Sequence, residues 1–386
     1  MPGSTCSLST EGNRIWLEVN GQPSIELHPL WLRERCSGKA FLDPQNLQRL
    51  YDPNALPDSL VINKALLCDS KTLKIVFSDG CTSHYAIRDI LNEYEANPNT
   101  KHNLQEKTYW DRNLERLPKQ AYPQDEASWL HLLTKLKAYG FVVVTGAPCT
   151  PEATLAFAES IGPIKVTNFG KIFDVYSKPK SSMEDLAYSN QALGPHTDNP
   201  YRFPAPGTQI LHAIENDCEG GLSTLIDGFA VAKKLRQDHP KAFEVLSKTK
   251  VRFIFVSDGS ILENWFPLIK VNTLGEPERV HFSTRVDYVP LLSKSELNHY
   301  YEARGIFANL LNSEGFTISF KLKPGNILLM NNHRVLHGRT AYKAQSPQAR
   351  YLRGCYIDND DIDGRLRALR KKLSVDPNPS LYPISH

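Results

Sequence analysis

The sequence has no long apolar run and no strong charge of one sign. Its longest apolar stretches, such as residues 141–144, have the length of a strand, whereas a membrane-spanning helix needs about 20 apolar residues. Lysine and arginine together number 45 against 42 acidic residues, which leaves a net charge of +3. We therefore predict neither a membrane segment nor a nucleic-acid-binding surface, and we expect a small molecule as the partner.

Paired cysteines and a secretion signal are also missing. The seven cysteines are scattered and none forms a Cys-x2-Cys pair, and the first residues lack a charged and then apolar pattern. Scattered, odd-numbered cysteines favour free thiols in a reducing compartment. We therefore expect a cytoplasmic protein.

The 386 residues are enough for two domains. Residues 1–95 predict a small β-rich N-terminal domain, because residues 14–19 and 73–77 alternate in polarity. Residues 96–125 are polar and contain prolines, which predicts a linker. Within 126–386, helical patterns at 126–139, from Thr150-Pro151, at 227–234 and at 240–247 flank many short strands. The predicted fold class is mainly β with flanking helices, with a double-stranded β-helix (jelly roll) as the second domain.

A His-x-Asp pair at His196 and Asp198 is the first candidate for chemistry. Two residues apart on an extended segment, the two side chains would project from one face. An imidazole and a carboxylate suit a non-haem Fe(II) site, which needs one more histidine. By itself the pair is weak, because the following Asn199-Pro200 equally predicts a surface turn.

The third ligand predicted is His337, about 140 residues downstream and just after an apolar run that reads as a buried strand. Arg350 follows it at a short offset, and its planar charged fork suits bidentate binding of a carboxylate. Arg353 is the alternative. The two arginines are three residues apart and would face opposite sides of a strand, so only one can point inward.

In this order of motifs, the sequence resembles the γ-butyrobetaine and trimethyllysine hydroxylase group of Fe(II)/2-oxoglutarate dioxygenases. The resemblance runs from about residue 31 to 370 and includes 186–190, 193–202, 206–212, 220–229 and 335–339. It implies iron on His196, Asp198 and His337, and 2-oxoglutarate held by Arg350. Dioxygen is the other co-substrate, and we expect ascorbate to stimulate turnover. Asp198 argues against the related halogenases, which lack this carboxylate.

The same resemblance implies a substrate site and an activity. Carried over by position, an aromatic cage would consist of Phe169, Phe173, Tyr188 and Tyr356. Such rings attract a trimethylammonium group by cation–π interaction. The first candidate activity is hydroxylation of γ-butyrobetaine to L-carnitine. For Phe169 or Phe173 taken alone, an ordinary core position is the more common explanation.

Other substrates and another class of function stay open. The substrate could be trimethyllysine, a trimethylammonium phosphonate or an amino-acid-derived intermediate of specialised metabolism. A metal-free jelly-roll binding protein is the alternative of a different class, although the full set of ligands argues against it. We also consider a homodimer.

The N-terminal domain departs from the group in one respect. Relatives hold a structural zinc there with a Cys-x-Cys-x2-Cys cluster and a histidine after an Asp-Gly turn. In this sequence only Cys36 matches the cluster, since Gly38 and Phe41 stand at its other positions, and Cys81 replaces the histidine. Two thiols are too few for a closed tetrahedral site, so we expect no zinc and predict that Cys36 and Cys81 face each other as thiols.

Overall fold

The computed structural model of the chain describes residues 6–11, 14–19, 24–96, 107–176, 190–257, 259–343 and 349–373. The chain divides into two compact units, one within Met1–Leu104 and one within Gln105–Val375. Strands outnumber helices throughout the described residues, in agreement with the mainly β fold class. Among these residues no helix is long and apolar enough to cross a membrane.

The first unit contains two three-stranded sheets. One consists of β1 (Cys6–Glu11), β2 (Arg14–Val19) and β3 (Ile25–Glu26), and the other of β4 (Ile62–Leu67), β5 (Thr72–Phe77) and β6 (Thr82–Ala86). The helices are α1 (Pro29–Arg33) and α2 (Ile87–Ala96), with a 3-10 turn at Pro53–Ala55. Alternate residues of β2 and β5, such as Leu17, Leu73 and Ile75, are fully buried, so the alternation in the sequence marks the core side of each sheet.

Cys36 and Cys81 lie side by side in this unit, with their Sγ atoms 3.6 Å apart and both thiols free. Burial, with a further contribution from Cys36, raises the pKa of Cys81 to about 12, so its thiol stays protonated at neutral pH. Nearby, the guanidinium of Arg33 lies over the ring of Phe41 and pairs with Asp79 at 2.8 Å. A cation and a protonated thiol are poor surroundings for a divalent metal, which binds thiolates.

We expect protein purified without a metal-binding tag to carry less than stoichiometric zinc in this unit. The physical reason is the lack of ligands at Gly38 and Phe41, together with the charge of Arg33. Elemental analysis measures the zinc content, and a His337→Ala variant removes the contribution of zinc bound elsewhere. One zinc per chain that is lost on Cys36→Ser would contradict this expectation.

The second unit contains six helices and seventeen strands among its described residues. The helices are α3 (Glu126–Tyr139), α4 (Pro151–Glu159), α5 (Gly228–Asp238), α6 (Pro240–Lys248), α7 (Lys294–Leu311) and α8 (Asn359–Lys372). The strands are β7 (Lys119–Ala121), β8 (Phe141–Thr145), β9 (Phe173–Val175), β10 (Leu193–His196), β11 (Thr208–Asn216), β12 (Glu219–Gly220), β13 (Ser223–Asp227), β14 (Lys250–Ser257), β15 (Ser260–Pro267), β16 (Ile269–Val271), β17 (Pro277–Val280), β18 (Asp287–Tyr288), β19 (Thr317–Phe320), β20 (Ile327–Asn331), β21 (Val335–Arg339), β22 (Tyr342–Lys343) and β23 (Arg350–Ile357).

Two sheets dominate this unit. The larger has the order β7-β8-β20-β11-β23-β9, and the smaller has the order β10-β21-β13-β19. One hydrophobic cluster joins them, with Val143 and Met330 from the larger sheet and Leu225 and Val335 from the smaller. Val142 and its alternating neighbours on the opposite face of the larger sheet pack instead against α3, α4 and α8. Both faces of β8 are therefore buried, which explains its unbroken apolar sequence.

The predicted helices are present. The helix predicted at 126–139 has those bounds, because Asp125 caps its first turn and Gly140 ends it in a left-handed conformation. Thr150 caps α4 in the same way, and α5 and α6 occupy the two predicted inserted helices. The longest helix, α7, was not predicted from the sequence.

The interpretation of 96–125 as a linker is wrong from residue 107 onward. Trp110 is 4% exposed, and its indole N–H donates to the Tyr139 carbonyl at 2.7 Å. Strand β7 pairs in parallel with β8 and extends the larger sheet. The polar composition of this segment indicated solvent exposure, but backbone pairing and one buried tryptophan attach it to the second unit.

A buried ion pair fixes the turn that leads into β21. Arg334, 1% exposed, donates to both carboxylate oxygens of Asp227 at 3.0 and 2.7 Å. It also donates to the carbonyls of Ala138 and Thr108. Because its charge is paired and its donors are used, the residue is tolerated in the core and anchors the start of the strand that carries His337.

Candidate metal centre and active-site pocket

The two predicted histidines meet on neighbouring strands of the smaller sheet. His196 ends β10 and pairs in register with His337 of β21, with ring centroids 4.3 Å apart. Asp198 lies beyond the end of β10, in the turn that the Asn199-Pro200 signal predicted, so the pair does not share one strand. The turn still brings Asp198 Oδ1 to 3.5 Å from His196 Nε2 and 3.7 Å from His337 Nε2.

The backbone of Asp198 is held from both sides by one side chain. Asn332 accepts from the Asp198 N–H at 2.7 Å and donates to its carbonyl at 3.0 Å. The preceding residue, Thr197, donates its backbone N–H to the Phe282 carbonyl at 2.8 Å. The irregular segment after β10 is therefore fixed by hydrogen bonds, although it is not part of a sheet.

The carboxylate of Asp198 is also oriented. Its Oδ2 atom accepts from Gln209 Nε2 at 2.5 Å and from the Tyr356 hydroxyl at 2.7 Å, while Oδ1 faces the histidines. Burial alone would raise the pKa of Asp198, but His337, His196 and the bond from Tyr356 together hold the pKa well below its usual value. The group is therefore a carboxylate at neutral pH, as a metal ligand must be.

Both histidines are suited to bind a metal through Nε2. The Nδ1 atom of His196 lies 3.0 Å from the Gly194 carbonyl, to which Nδ1–H can donate, so Nε2 carries the lone pair. Burial lowers the pKa of His337 to about 4, with partial opposition from Asp198. Its imidazole is therefore neutral at neutral pH.

A cavity connects this group to Arg350. His196, Asp198, His337 and Arg350 all line it. Arg350 is 4% exposed, and its Nε and Nη1 atoms have no hydrogen-bond partner within the described part of the chain. A buried guanidinium with free donors is incomplete without an anion.

Alternation along β23 separates the two candidate arginines. Arg350, Leu352 and Tyr356 line the cavity. Arg353 is on the opposite face, where its side chain is 25% exposed and lies 3.5 Å from Asp174. Gly220 and Gly221 have positive φ angles of 79° and 61°, and a Cβ on Gly221 would come within 3.5 Å of Arg350 Nε.

Three of the four proposed cage residues line the same cavity. They are Phe169, Phe173 and Tyr356, and the rings of Phe173 and Tyr356 have centroids 5.2 Å apart. Tyr188 is outside the described residues. The ring of Phe173 lies directly on Gly354, where an added Cβ would overlap it.

Sequence reasoning missed the residues that hold Asp198. Gln209 stands in a segment recognised as similar to the family, and Asn332 stands three residues before another, yet neither amide was assigned a role. Their role was hard to predict, because a polar residue inside a predicted strand or turn does not reveal which carboxylate it contacts. Period two does place Gln209 on the same face of β11 as Leu211, which also lines the cavity.

Three other histidines have structural contacts. His212 contacts the Thr154 hydroxyl at 2.8 Å, His281 stacks on Phe266, and His333 contacts the Ala205 carbonyl. Burial lowers the pKa of each, to about 4 for His212 and His333. Among the described residues, the one group of three or more His, Cys, Asp or Glu ligand atoms close enough to share an ion is His196, Asp198 and His337, whose atoms lie within 4.8 Å of one another.

This donor set fits Fe(II). The carboxylate oxygen lies 3.5 and 3.7 Å from the two histidine nitrogen atoms, and all three atoms lie within 4.8 Å of one another. Two histidines and one carboxylate are the donor set of non-haem Fe(II) oxygenases. The orphaned donors of Arg350 likewise fit the distal carboxylate of 2-oxoglutarate. Both groups can therefore be accommodated by residues of one cavity.

Comparison with known proteins gives the family. The sequence model of the taurine catabolism dioxygenase TauD, TfdA family matches residues 113–356. The γ-butyrobetaine dioxygenase of Homo sapiens is 30% identical over 367 residues, which cover 90% of this chain and 92% of that protein. The γ-butyrobetaine dioxygenase of Pseudomonas sp. strain AK-1 is 28% identical, covering 95% and 96%. The mitochondrial trimethyllysine dioxygenase of Homo sapiens is 27% identical, covering 88% and 82%.

The family match spans more than half of the chain, and the similarity to the curated relatives extends over nearly all of it. The chain therefore belongs to the TauD, TfdA family, within the γ-butyrobetaine and trimethyllysine hydroxylase group of Fe(II)/2-oxoglutarate-dependent dioxygenases.

Proposed function

We propose that His196, Asp198 and His337 hold the iron, and that Arg350 binds the distal carboxylate of 2-oxoglutarate. The observation that carries this proposal is that three ligand atoms within 4.8 Å of one another share a cavity with a buried guanidinium, whose Nε and Nη1 atoms have no hydrogen-bond partner among the described residues. When bound, iron, 2-oxoglutarate and dioxygen supply an oxidation that yields succinate, carbon dioxide and a hydroxylated substrate. The protein holds these groups in order and surrounds them with side chains that exclude water.

We extend the proposal to the fold of the two units and to the cellular compartment. The two facing sheets of the second unit correspond to the two walls of a double-stranded β-helix, with the ligands near one end. The separate N-terminal unit corresponds to the small β-rich domain. The described cysteine side chains are all free thiols, which supports a reducing, cytoplasmic setting.

For the substrate, we propose a small zwitterionic amine, with γ-butyrobetaine as the first candidate and L-carnitine as its product. The support comes from the relatives named γ-butyrobetaine dioxygenase and from the rings of Phe169, Phe173 and Tyr356 in the cavity. Aromatic faces attract a quaternary ammonium group, and each contact is worth about 0.5–2 kcal/mol.

A substrate with a more apolar head is the second candidate. Two of the described cage positions are phenylalanine, and Val175, Leu193, Leu211 and Leu352 add apolar surface to the cavity. Phenylalanine is a weaker partner for a cation than tryptophan. An intermediate of specialised metabolism that lacks a quaternary nitrogen would pack against this apolar surface. Trimethyllysine or a trimethylammonium phosphonate would still need the aromatic cage.

A substrate panel tests the proposal. The purified full chain is supplied with Fe(II), 2-oxoglutarate and ascorbate, and succinate release and product mass are measured. The panel contains γ-butyrobetaine, trimethyllysine, a trimethylammonium phosphonate and their non-methylated amines. It also contains the carbon isostere of γ-butyrobetaine, in which a quaternary carbon replaces the nitrogen at equal shape.

We expect γ-butyrobetaine to be hydroxylated, with kcat/KM about tenfold above that of the isostere, which is equivalent to about 1.4 kcal/mol of cation–π stabilisation. An isostere that reacts as well as γ-butyrobetaine would show that shape and not charge is recognised. Turnover confined to compounds without a quaternary nitrogen would contradict the cage and leave the iron and 2-oxoglutarate assignments intact.

A further inference from the structure

The carboxylate oxygen of Asp198 that points away from the histidines accepts two hydrogen bonds. Gln209 on β11 and Tyr356 on β23 are direct cross-strand partners. Both donate to the same oxygen, Oδ2, at 2.5 and 2.7 Å. The other oxygen, Oδ1, is the atom that faces His196 and His337. The two oxygens of one carboxylate therefore have separate surroundings.

The donors are rigidly placed. Gln209 is 3% exposed and Tyr356 is 4% exposed, so water does not compete for Oδ2 from their side. Strand pairing fixes the two backbones relative to each other, and the Tyr356 ring packs against Phe173. Hydrogen bonds to an ionised acceptor are about twice as strong as neutral ones. Turning Oδ2 toward an ion would break two of them in a buried site.

We propose that Gln209 and Tyr356 are positioning residues that restrict Asp198 to one metal-binding oxygen. The inference depends on the proposed iron site. A carboxylate can bind an ion through one or both oxygens, and binding through both would occupy a position that 2-oxoglutarate or dioxygen needs. By holding Oδ2, the pair preserves that position and orients Oδ1 for the ion.

The test uses two shape-preserving variants, Tyr356→Phe and Gln209→Met, and their combination. Tyr356→Phe keeps the ring against Phe173 and removes only the hydroxyl. The matched control is Tyr351→Phe on the same strand, whose hydroxyl donates to Asp174 at 3.0 Å outside the cavity. Dissociation constants for Co(II) and Fe(II) are measured, together with the visible spectrum of the Co(II)-loaded protein with 2-oxoglutarate and the ratio of succinate to hydroxylated product.

We expect each single variant to weaken metal binding about tenfold and the double variant about 100-fold, the range found when partners of a metal ligand are removed. We also expect a changed Co(II) spectrum and more succinate per product, because Asp198 is free to rotate. The Tyr351→Phe control should match the wild type in all three measurements. Circular dichroism of the metal-free proteins checks that the variants are folded.

Two outcomes separate the inference from the proposed function. If the double variant binds Co(II) with the wild-type dissociation constant and spectrum while Asp198→Ala loses binding, the positioning role is wrong and the iron site stands. If Asp198→Ala itself binds Co(II) as the wild type does, the proposed iron site is wrong. A changed spectrum in Tyr351→Phe as large as that in Tyr356→Phe would also contradict the positioning role, since it would show a general loosening of β23.

Discussion

Replacing Asp198 with alanine is expected to abolish hydroxylation. The change removes the only carboxylate among the proposed ligands and leaves the donors of Gln209 and Tyr356 unpaired in a buried site. The loss of kcat/KM should exceed the roughly 100-fold that the loss of an outer-shell partner costs. Succinate release and product formation are measured over a range of Fe(II) concentrations.

Asp174→Ala is the matched control for this prediction. Asp174 is also a carboxylate, on strand β9 of the larger sheet, but it pairs with Arg353 and Tyr351 outside the cavity. We expect this variant to retain activity. Full turnover of Asp198→Ala at limiting Fe(II) would show that the residue is not a ligand.

Replacing Arg350 with alanine is expected to raise the KM for 2-oxoglutarate about 30-fold or more. Loss of one partner of a buried, hydrogen-bonded charge pair costs about 2 kcal/mol or more, because the other charge is left unpaired. Arg350→Lys should restore little of the loss, since an ammonium group lacks the planar fork. Initial rates at saturating substrate and variable 2-oxoglutarate provide the measurement.

Arg353→Ala, three residues along the same strand, is the control for the co-substrate site. Its side chain is partly exposed and pairs with Asp174 on the far face of β23, so the KM for 2-oxoglutarate should remain close to that of the wild type. An equal rise of the KM for 2-oxoglutarate in Arg350→Ala and Arg353→Ala would mean that alternation along β23 does not determine which arginine binds the co-substrate.

Local signals in the sequence predicted much of the fold. The apolar spacing at 126–139 with the terminating Gly140 predicted α3, and Thr150 followed by Pro151 predicted α4, because such signals act on the backbone next to them. Helix α7 was missed, since its many polar residues obscure an apolar stripe that packs into a remote cluster. Residues 107–125 were interpreted as a linker for a similar reason: a single buried tryptophan and a short edge strand are not visible in composition.

The proposed ligands of the candidate site could be predicted from the sequence, whereas the residues that orient them could not. His196, Asp198, His337 and Arg350 follow a recognisable order along the chain, and the structure brings all four to one cavity. Two of the residues that orient Asp198, Asn332 and Tyr356, are more than 100 positions away from it in the chain. Such pairings depend on strand register, which no local pattern specifies.

The contact between Phe173 and Gly354 constrains how the enzyme can change in evolution. The two residues are paired across β9 and β23, and the ring occupies the space that any side chain at 354 would need. A side chain added at 354 therefore requires the Phe173 ring to move or residue 173 to become smaller. We expect substitutions at the two positions to be coupled, because the same space next to the cavity serves both residues.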